Sequence, residues 1–303
     1  MPEFFYTTAR NNQARTSPHF RTAPVGGGLG ADIHDIDLNT LSNEGQIDLR
    51  QALLDHQVLF IRDQSLTVTQ LEAVSQRFGA FGVEPYVKPM ADHPHVVHVV
   101  KEASEGTPFV FGGAWHSDWS FQERPPAFTL LYGHDVPEVG GDTLFNNMYL
   151  ACEWLSPTLR KILLDLNGIN SPEFGYGPNA KHNAGLESMQ IIYGENVDHD
   201  VRSHPLITRH PETGRNVLFA NPAYTLGIDG MKPEEARPLL DYLFSVASAP
   251  AFTCRMRWTP GTLAIWDNRC VWHQPVSDYF GQRREMYRTT VEGEKPKRGI
   301  LNE

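Results

Sequence analysis

The sequence predicts a strand-rich α+β protein built on a mixed sheet or jelly roll, and three observations predict it. Short segments rich in β-branched and aromatic residues dominate from Ala114 to Asn146 and return over the last third of the chain. Helical periodicity is confined to a few stretches near the start and between strands. No regular alternation of strand and helix runs through the chain, which argues against a doubly wound parallel sheet.

Taken in order, residues 1–24 read as a loosely held arm ahead of Gly26-Gly27-Gly28, and residues 25–303 as a single domain. Ala31-Asp32-Ile33-His34 precedes a helical pattern around Glu44–Leu54. Gln57-Val58-Leu59-Phe60-Ile61 is a short apolar run suited to a buried strand. Thr67–Phe78 has apolar residues at helical spacing and closes on Gly79, a C-cap residue type. His95–Val100 is β-rich. Pro126–Tyr132 and Asp142–Phe145 read as strands, with Gly140-Gly141 as the turn before the second. Ser156-Pro157 opens a helix to about Leu166, Ser as cap and Pro in the first turn. Residues 171–204 mix Pro, Gly, Asn and His without period, the composition of a lid or surface insertion. His210–Gly214 is a turn and Pro233–Val246 a helix. Cys254–Trp258, Leu263–Asp267, Val271–His273 and Arg284–Glu292 complete a strand-rich end.

Composition narrows the function classes. With 40% hydrophobic and 20% charged residues in 303, the chain is globular and can bury a substantial core. A net charge of -10 with scattered Lys and Arg argues against nucleic acid and anionic membranes as partners. No apolar run is long enough to span a bilayer, and the first twenty residues lack the apolar stretch of a secretory signal. Cys152, Cys254 and Cys270 fit neither a disulfide framework nor a zinc pattern, so a reducing, cytoplasmic setting is expected.

Trp115-His116-Ser117-Asp118 carries the first chemical signal. Residues two apart on a strand share a face, so His116 and Asp118 can reach one metal ion together. A third ligand from another strand would complete a two-histidine, one-carboxylate facial triad, which leaves positions open for oxygen chemistry at Fe(II). With 13 histidines the spacing alone is what chance supplies, but His116-x-Asp118 is the only His-x-Asp in the chain. His273 is the natural third ligand. Eleven positions after it comes Arg284, inside a β-patterned segment. A buried Arg is costly unless a carboxylate meets it, and its planar fork suits one. A metal-bound 2-oxo acid offers such a carboxylate, so the metal site and the arginine explain each other. Two other readings remain open at this point: a metal-dependent hydrolase using the same three side chains, and a binding protein that has lost turnover.

These residues, with Gly30-Ala31-Asp32, Asp55–Gln64, Arg77-Phe78-Gly79, Gly140–Leu144, Ala264–Arg269, Asp278-Tyr279 and Arg283–Arg288, resemble the TauD/TfdA family of 2-oxoglutarate-dependent dioxygenases from about Gly27 to Pro296. The resemblance is nearest to its taurine-oxidising members. It implies a double-stranded β-helix, a distorted jelly roll flanked by helices, and an enzyme that uses Fe(II), 2-oxoglutarate and O2 on a small-molecule substrate. It implies His116, Asp118 and His273 as catalytic iron ligands, with Arg284 and Thr143 at the distal carboxylate of 2-oxoglutarate. Arg288 matches the position that meets an anionic substrate head, such as a sulfonate, sulfate ester, carboxylate or phosphonate. Trp119, Phe219 and Asn221 are the further pocket candidates, and a homodimer or homotetramer is implied as well. One departure bears on the substrate. Glu84 stands where the taurine-oxidising members carry a histidine beside the sulfonate; an acidic residue there would repel a sulfonate, and it either holds a substrate ammonium or simply faces solvent.

Overall fold

A computed structural model describes residues 12–14, 16–180, 183–194 and 200–301. Its first half contains β1 (Arg21–Pro24), β2 (Ala31–His34), α1 (Asn43–His56), β3 (Val58–Ile61), α2 (Val68–Gln76), β4 (Val97–Lys101), β5 (Phe128–Asp135) and β6 (Thr143–Asn147). Then come α3 (Met148–Trp154), α4 (Pro157–Leu164), β7 (Asn167–Asn170), α5 (Glu173–Tyr176), β8 (Arg202–Pro205), β9 (Ile207–Arg209), β10 (Asn216–Leu218) and β11 (Thr225–Ile228). The chain ends through α6 (Pro233–Ala247), β12 (Thr253–Met256), β13 (Leu263–Asp267), β14 (Val271–Pro275), β15 (Arg284–Val291) and β16 (Lys297–Arg298).

A seven-stranded sheet in the order β1-β2-β3-β13-β5-β15-β4 forms one layer, antiparallel except where β2 runs parallel to β3. Its partner is the three-stranded sheet β12-β6-β14. From β12 to β15 successive strands alternate between the two sheets, which is the winding of a double-stranded β-helix. Two smaller sheets, β11-β7-β8 and β10-β9-β16, extend the structure.

The central strands of the large sheet are buried on both faces, which is why they read as continuous apolar runs. Leu59, Ile61, Phe128, Leu130, Leu263 and Ile265 turn to one side and pack with α1 and α2. Their neighbours Val58, Phe60, Leu131, Ala264 and Trp266 turn to the other and meet the small sheet. Phe145 of β6 sits between the layers, 5.5 Å from Phe60 and 5.6 Å from Trp266 by ring centroid. The same alternation on β15 sends Arg284, Met286 and Arg288 inward, while Thr289 bonds to Ser75 of α2 on the outer face. The helix starts follow local rules. Ser42 and Ser156 accept from the amides of Gly45 and Leu159, and Thr67 with Gln70 closes a capping box on α2.

Three local expectations change, and one further helix appears. The segment read as an arm already contributes β1, and Phe20 just before it is buried against the helices; residues 1–11 and 15 lie outside the described residues. Residues 114–127 hold turns and one isolated bridge, not strand. The α2 helix stops at Gln76, capped by Arg77 rather than Gly79. Finally, α3 follows β6 without a loop, because Asn147 ends the strand and accepts from the amides of Tyr149 and Leu150 as an N-cap. In the 171–204 stretch, whose residues 181, 182 and 195–199 lie outside the described ones, short helical turns bring Tyr176, Leu186 and Met189 into an aromatic cluster with Trp119, Phe121 and Tyr224.

Candidate active site

The two histidines are brought together by backbone. His116 forms an isolated antiparallel bridge to His273 on β14, each amide donating to the other's carbonyl at 3.1 and 2.8 Å. Their rings stand 4.1 Å apart. Asp118 lies in the turn that follows, where Trp119 takes a left-handed conformation (φ 46°). The pair therefore converges through a bridge and a turn rather than along one strand. Asp118 Oδ1 is 3.6 Å from His116 Nε2 and 4.0 Å from His273 Nε2, too far for hydrogen bonds. One donor atom from each of the three falls within 4.8 Å of the others, and all three side chains are buried.

Their surroundings fix which atoms face inward. His116 Nδ1 donates to the Ala114 carbonyl at 2.7 Å, leaving Nε2 with its lone pair. Asp118 Oδ2 accepts from Thr129 Oγ1 at 2.6 Å, so Oδ1 is the oxygen turned toward the histidines. Thr129 accepts in turn from Asn268 Nδ2 (2.7 Å), and Asn268 Oδ1 accepts from Trp266 Nε1 (2.9 Å) and the Asp118 amide (3.3 Å). Ser117 Oγ donates to the Asn268 carbonyl. Burial opposes ionisation of Asp118, but His273, Arg288 and His116 outweigh it and hold the carboxyl well below its usual range. Burial and the neighbouring His116 push His273 down to about 3, which keeps it neutral and able to bind a metal. A nitrogen–nitrogen–oxygen donor set with an ionised carboxylate fits Fe(II).

Arg284 lies in the same cleft with Thr143, His116 and His273. Its side chain is buried, and Nε and Nη2 have no hydrogen-bond partner among the described residues. Burial lowers its pKa, with Tyr279 and Asp142 opposing. Its guanidinium carbon lies 5.6 Å from the Trp258 ring and 5.9 Å from the Tyr279 ring. Gly141 (φ 68°) lets the chain pass close, since a Cβ there would fall 3.3 Å from Arg284 Cδ. Thr143 Oγ1 accepts from Trp258 Nε1 at 2.9 Å, leaving its own proton to donate. An unpaired buried guanidinium beside a hydroxyl donor is the complement of a carboxylate.

Arg288 is also buried in this cleft, but it is matched. Its Nη2 donates to Glu84 Oε2 in a short contact, and its Nη1 is 3.5 Å from Asp118 Oδ1. Burial opposes its charge, and Glu84 and Asp118 more than restore it. Burial likewise raises the Glu84 carboxyl, with Arg288 opposing. Trp119 Nε1 donates to the same Glu84 oxygen at 3.0 Å, and Arg288 stacks 5.3 Å from the Trp119 and Phe111 rings. Trp119 thus supports the site by holding Glu84. The structure does not bring Phe219 or Asn221 to the cleft. Phe219 packs edge-on to His204, and the Asn221 amide is taken up by Ser120 Oγ and the Tyr224 amide.

The inner cleft, about 410 Å³ of open space, also exposes Val99, Phe111 and Leu131, and shares His116 and Gly112 with a larger vestibule. That vestibule, about 1230 Å³ including open solvent, is walled by Phe109, Val110, Phe174, Tyr176 and Tyr224. Sequence reasoning missed these walls. The aromatic richness of 109–121 was the available signal. A second trio, His210, Asp267 and Cys270, has ligand-type side chains but is saturated. His210 Nε2 donates to Asp267 (3.0 Å), its Nδ1 accepts two amides, and Arg269 pairs with Asp267 at 2.6 Å.

The family model for taurine catabolism dioxygenases of the TauD, TfdA family matches residues 21–290. A putative alpha-ketoglutarate-dependent sulfonate dioxygenase of Schizosaccharomyces pombe is 30% identical over 283 residues, covering 88% of this chain and 68% of its own. An alkylsulfatase of Acinetobacter baylyi is 30% identical over 280 residues, covering 88% and 83%. The crystal structure of a taurine dioxygenase from Burkholderia xenovorans superposes with a TM-score of 0.77 at 33% identity, covering 92% and 93%. The winding of β12 to β15, the His–Asp–His cluster and the unpaired Arg284 agree with these matches: the chain belongs to the TauD/TfdA family of Fe(II)- and 2-oxoglutarate-dependent dioxygenases.

Proposed function

We propose that His116, Asp118 and His273 hold Fe(II) facially, and that Arg284 with Thr143 receives the distal carboxylate of 2-oxoglutarate. The substrate is a small molecule with an anionic or zwitterionic head, oxidised at a C–H bond. The observation that carries this reading is Arg284, whose buried guanidinium has unpartnered nitrogens in the same cleft as the three ligands. A hydrolase using the same ion would leave that charge without a purpose. Fe(II), 2-oxoglutarate and O2 together supply oxidation of the C–H bond, with succinate and CO2 as coproducts.

The chain's own side chains have separable tasks. Arg284 and Thr143 orient one end of 2-oxoglutarate through charged and neutral donors. The Ala114 carbonyl and Thr129 fix His116 and Asp118 in the rotamers that expose Nε2 and Oδ1. Phe111, Tyr176 and Tyr224 line the cleft and its approach, and with the described residues of the 171–204 stretch acting as a lid they exclude water from the reacting centre. The yeast relative is named for a sulfonate and the bacterial one as an alkylsulfatase, which supports a small substrate with a charged head. Function in the cytoplasm as a homodimer or homotetramer belongs to the same reading; the described residues contain no helix able to cross a membrane.

The test is anaerobic addition of Fe(II) and 2-oxoglutarate to purified protein, watching for the weak visible charge-transfer band of the chelate. A succinate-release screen over sulfonates, alkyl sulfates, aryloxyacetates, phosphonates and amino acids follows. A band that is lost in His273→Ala is the expected result. Absence of both the band and succinate release would overturn the reading.

A further inference from the structure

Lys101 closes β4 directly opposite Arg284, the first residue of β15. Opposed residues of an antiparallel pair put their side chains on one face, with Cβ atoms about 5 Å apart. Both residues are 5% exposed, and both line a small cleft with Val99, Phe111 and Met189. The Tyr279 ring lies 5.4 Å from Lys101 Nζ and 5.9 Å from the Arg284 guanidinium carbon, so one ring serves two cations. Two positive charges on one buried face oppose each other, because little water screens them. A carboxylate placed on Arg284 would remove that opposition.

The Lys101 ammonium donates to two carbonyls, Thr107 at 2.8 Å and Phe109 at 3.0 Å. It thereby pins a strap, residues 102–114, that walls the site: Phe109 and Val110 face the vestibule, and Phe111 and Gly112 the inner cleft. The strap carries the 183–189 stretch in turn. Thr107 Oγ1 donates to the Ala184 carbonyl at 2.9 Å, and Glu105 accepts from the Ser188 amide at 2.8 Å. From the other side Gln274 donates to the Gly113 carbonyl at 2.8 Å, and Ser277 to that of Pro108. Ala103, Ser104, Gly106, Pro108 and Phe109 are exposed, so few apolar contacts hold the strap and these hydrogen bonds set its position.

We propose that Lys101 is a positioning residue that couples the strap and the 183–189 stretch to Arg284, so that 2-oxoglutarate bound at Arg284 firms the walls of the substrate vestibule. While Arg284 is unneutralised, its charge disfavours the Lys101 cation at its seat, and the bonds to Thr107 and Phe109 are weakened. A carboxylate on Arg284 turns that repelling neighbour into a neutral pair, and the ammonium holds both carbonyls more firmly. The coupling is reciprocal: the closed strap strengthens 2-oxoglutarate binding by the factor that 2-oxoglutarate strengthens the strap. The proposal rests on the assignment of Arg284 to 2-oxoglutarate above, and adds to it what happens to the substrate's side of the site.

The experiment follows amide hydrogen exchange by peptide mass spectrometry in Mn(II)-loaded protein, with and without saturating 2-oxoglutarate. In the wild type, peptides over 103–113 and 183–189 are expected to exchange about tenfold more slowly once 2-oxoglutarate is bound. Lys101→Met keeps an unbranched chain and removes the ammonium. It is expected to exchange fast in both stretches whether or not 2-oxoglutarate is present, with β5 and β13 protected as in the wild type. Calorimetry should show 2-oxoglutarate binding to it about tenfold more weakly. Thr107→Val cuts the tie to Ala184 without touching Lys101, so the response should persist at 103–113 and shrink at 183–189. Equal exchange with and without 2-oxoglutarate in the wild type overturns the proposal, as does a full wild-type response in Lys101→Met. If Lys101→Met does not fold, Thr107→Val decides, and an undiminished response at 183–189 overturns the proposal. Wild-type protein that binds no 2-oxoglutarate in the calorimeter would instead bring down the Arg284 reading, and this proposal with it.

Discussion

His116 and His273 are bonded to one another through their backbones in both directions, at 3.1 and 2.8 Å, before their side chains share any ligand. Residues 157 apart in sequence are thereby held with rings 4.1 Å apart. The close space on the other side of His116 is kept by Gly112 (φ 73°), where a Cβ would fall 2.9 Å from His116 Cε1 and 3.3 Å from Nε2. Glycine is needed there both for the left-handed backbone and for the approach.

Gly112→Ala should therefore weaken metal binding while leaving every ligand in place. The ring must rotate or the loop must lift, and misplacing one ligand costs metal affinity by about tenfold to a hundredfold, the size seen when supporting groups are lost. Calorimetric titration with Mn(II) would show it. Affinity equal to wild type would mean the 108–114 loop yields without moving His116.

Arg284 gives a prediction with two signs. Replacing it with Met keeps volume and removes a buried charge whose Nε and Nη2 have no hydrogen-bond partner among the described residues. The KM for 2-oxoglutarate should rise by about a hundredfold, because a charged two-point contact contributes roughly 3 kcal/mol. The melting temperature of the protein without 2-oxoglutarate should stay the same or increase, since the desolvated charge is gone. A fall in melting temperature with an unchanged KM would show instead that Arg284 holds the fold.

How much of this could be read from sequence depends on how far apart the partners lie. The runs Val58–Ile61 and Leu263–Asp267 announced buried strands because both faces are covered, and caps at Ser42, Thr67 and Ser156 are local signals. The α3 helix was missed because Met148–Cys152 are all buried, so no polar face marks a helical period. His116, Asp118, His273 and Arg284 were legible as residue types at spacings, and the fold gathers them. The Glu84–Arg288 contact joins residues 204 apart, and Thr129 reaches Asn268 across 139. No local pattern encodes either pair. Asn221 lies away from the cleft, its side-chain oxygen accepting from the Tyr224 amide in the local turn, a use that polarity alone does not distinguish from ligand contact.

Thr129 tests that hidden layer. Its hydroxyl donates to Asp118 Oδ2 at 2.6 Å and accepts from Asn268, a closer hold on the carboxylate than the 3.5 Å contact of Arg288 with Oδ1. Thr129→Val preserves shape on β5 but leaves Oδ2 and the Asn268 amide unpaired. Metal affinity should drop about tenfold, with a smaller change in the KM for 2-oxoglutarate than in the metal dissociation constant. If both constants move together, the strand itself has shifted.

Asp267 should control stability rather than chemistry, even though it lies next to Asn268. It is fully buried between Arg269, at 2.6 and 2.8 Å, and His210, at 3.0 Å. Burial opposes its charge, but Arg269 and His210 prevail and hold the carboxyl well below its usual range. Asp267→Asn would leave Arg269 with only the half-buried Glu212 at 2.8 Å, a loss of about 3 kcal/mol. The sign with pH follows from the depressed carboxyl. Its contribution is complete above the unfolded value near ~4, and it fades as pH falls below that toward the folded one. Denaturant unfolding at pH 7 should show the full loss in Asp267→Asn, and the gap to wild type should narrow on acidification below about pH 4. Bound Mn(II) affinity should stay within a factor of about three, because the ligands hang from Thr129 and the His116–His273 bridge and not from Asp267. A gap that widened toward low pH would show that the variant lost something other than this ion pair.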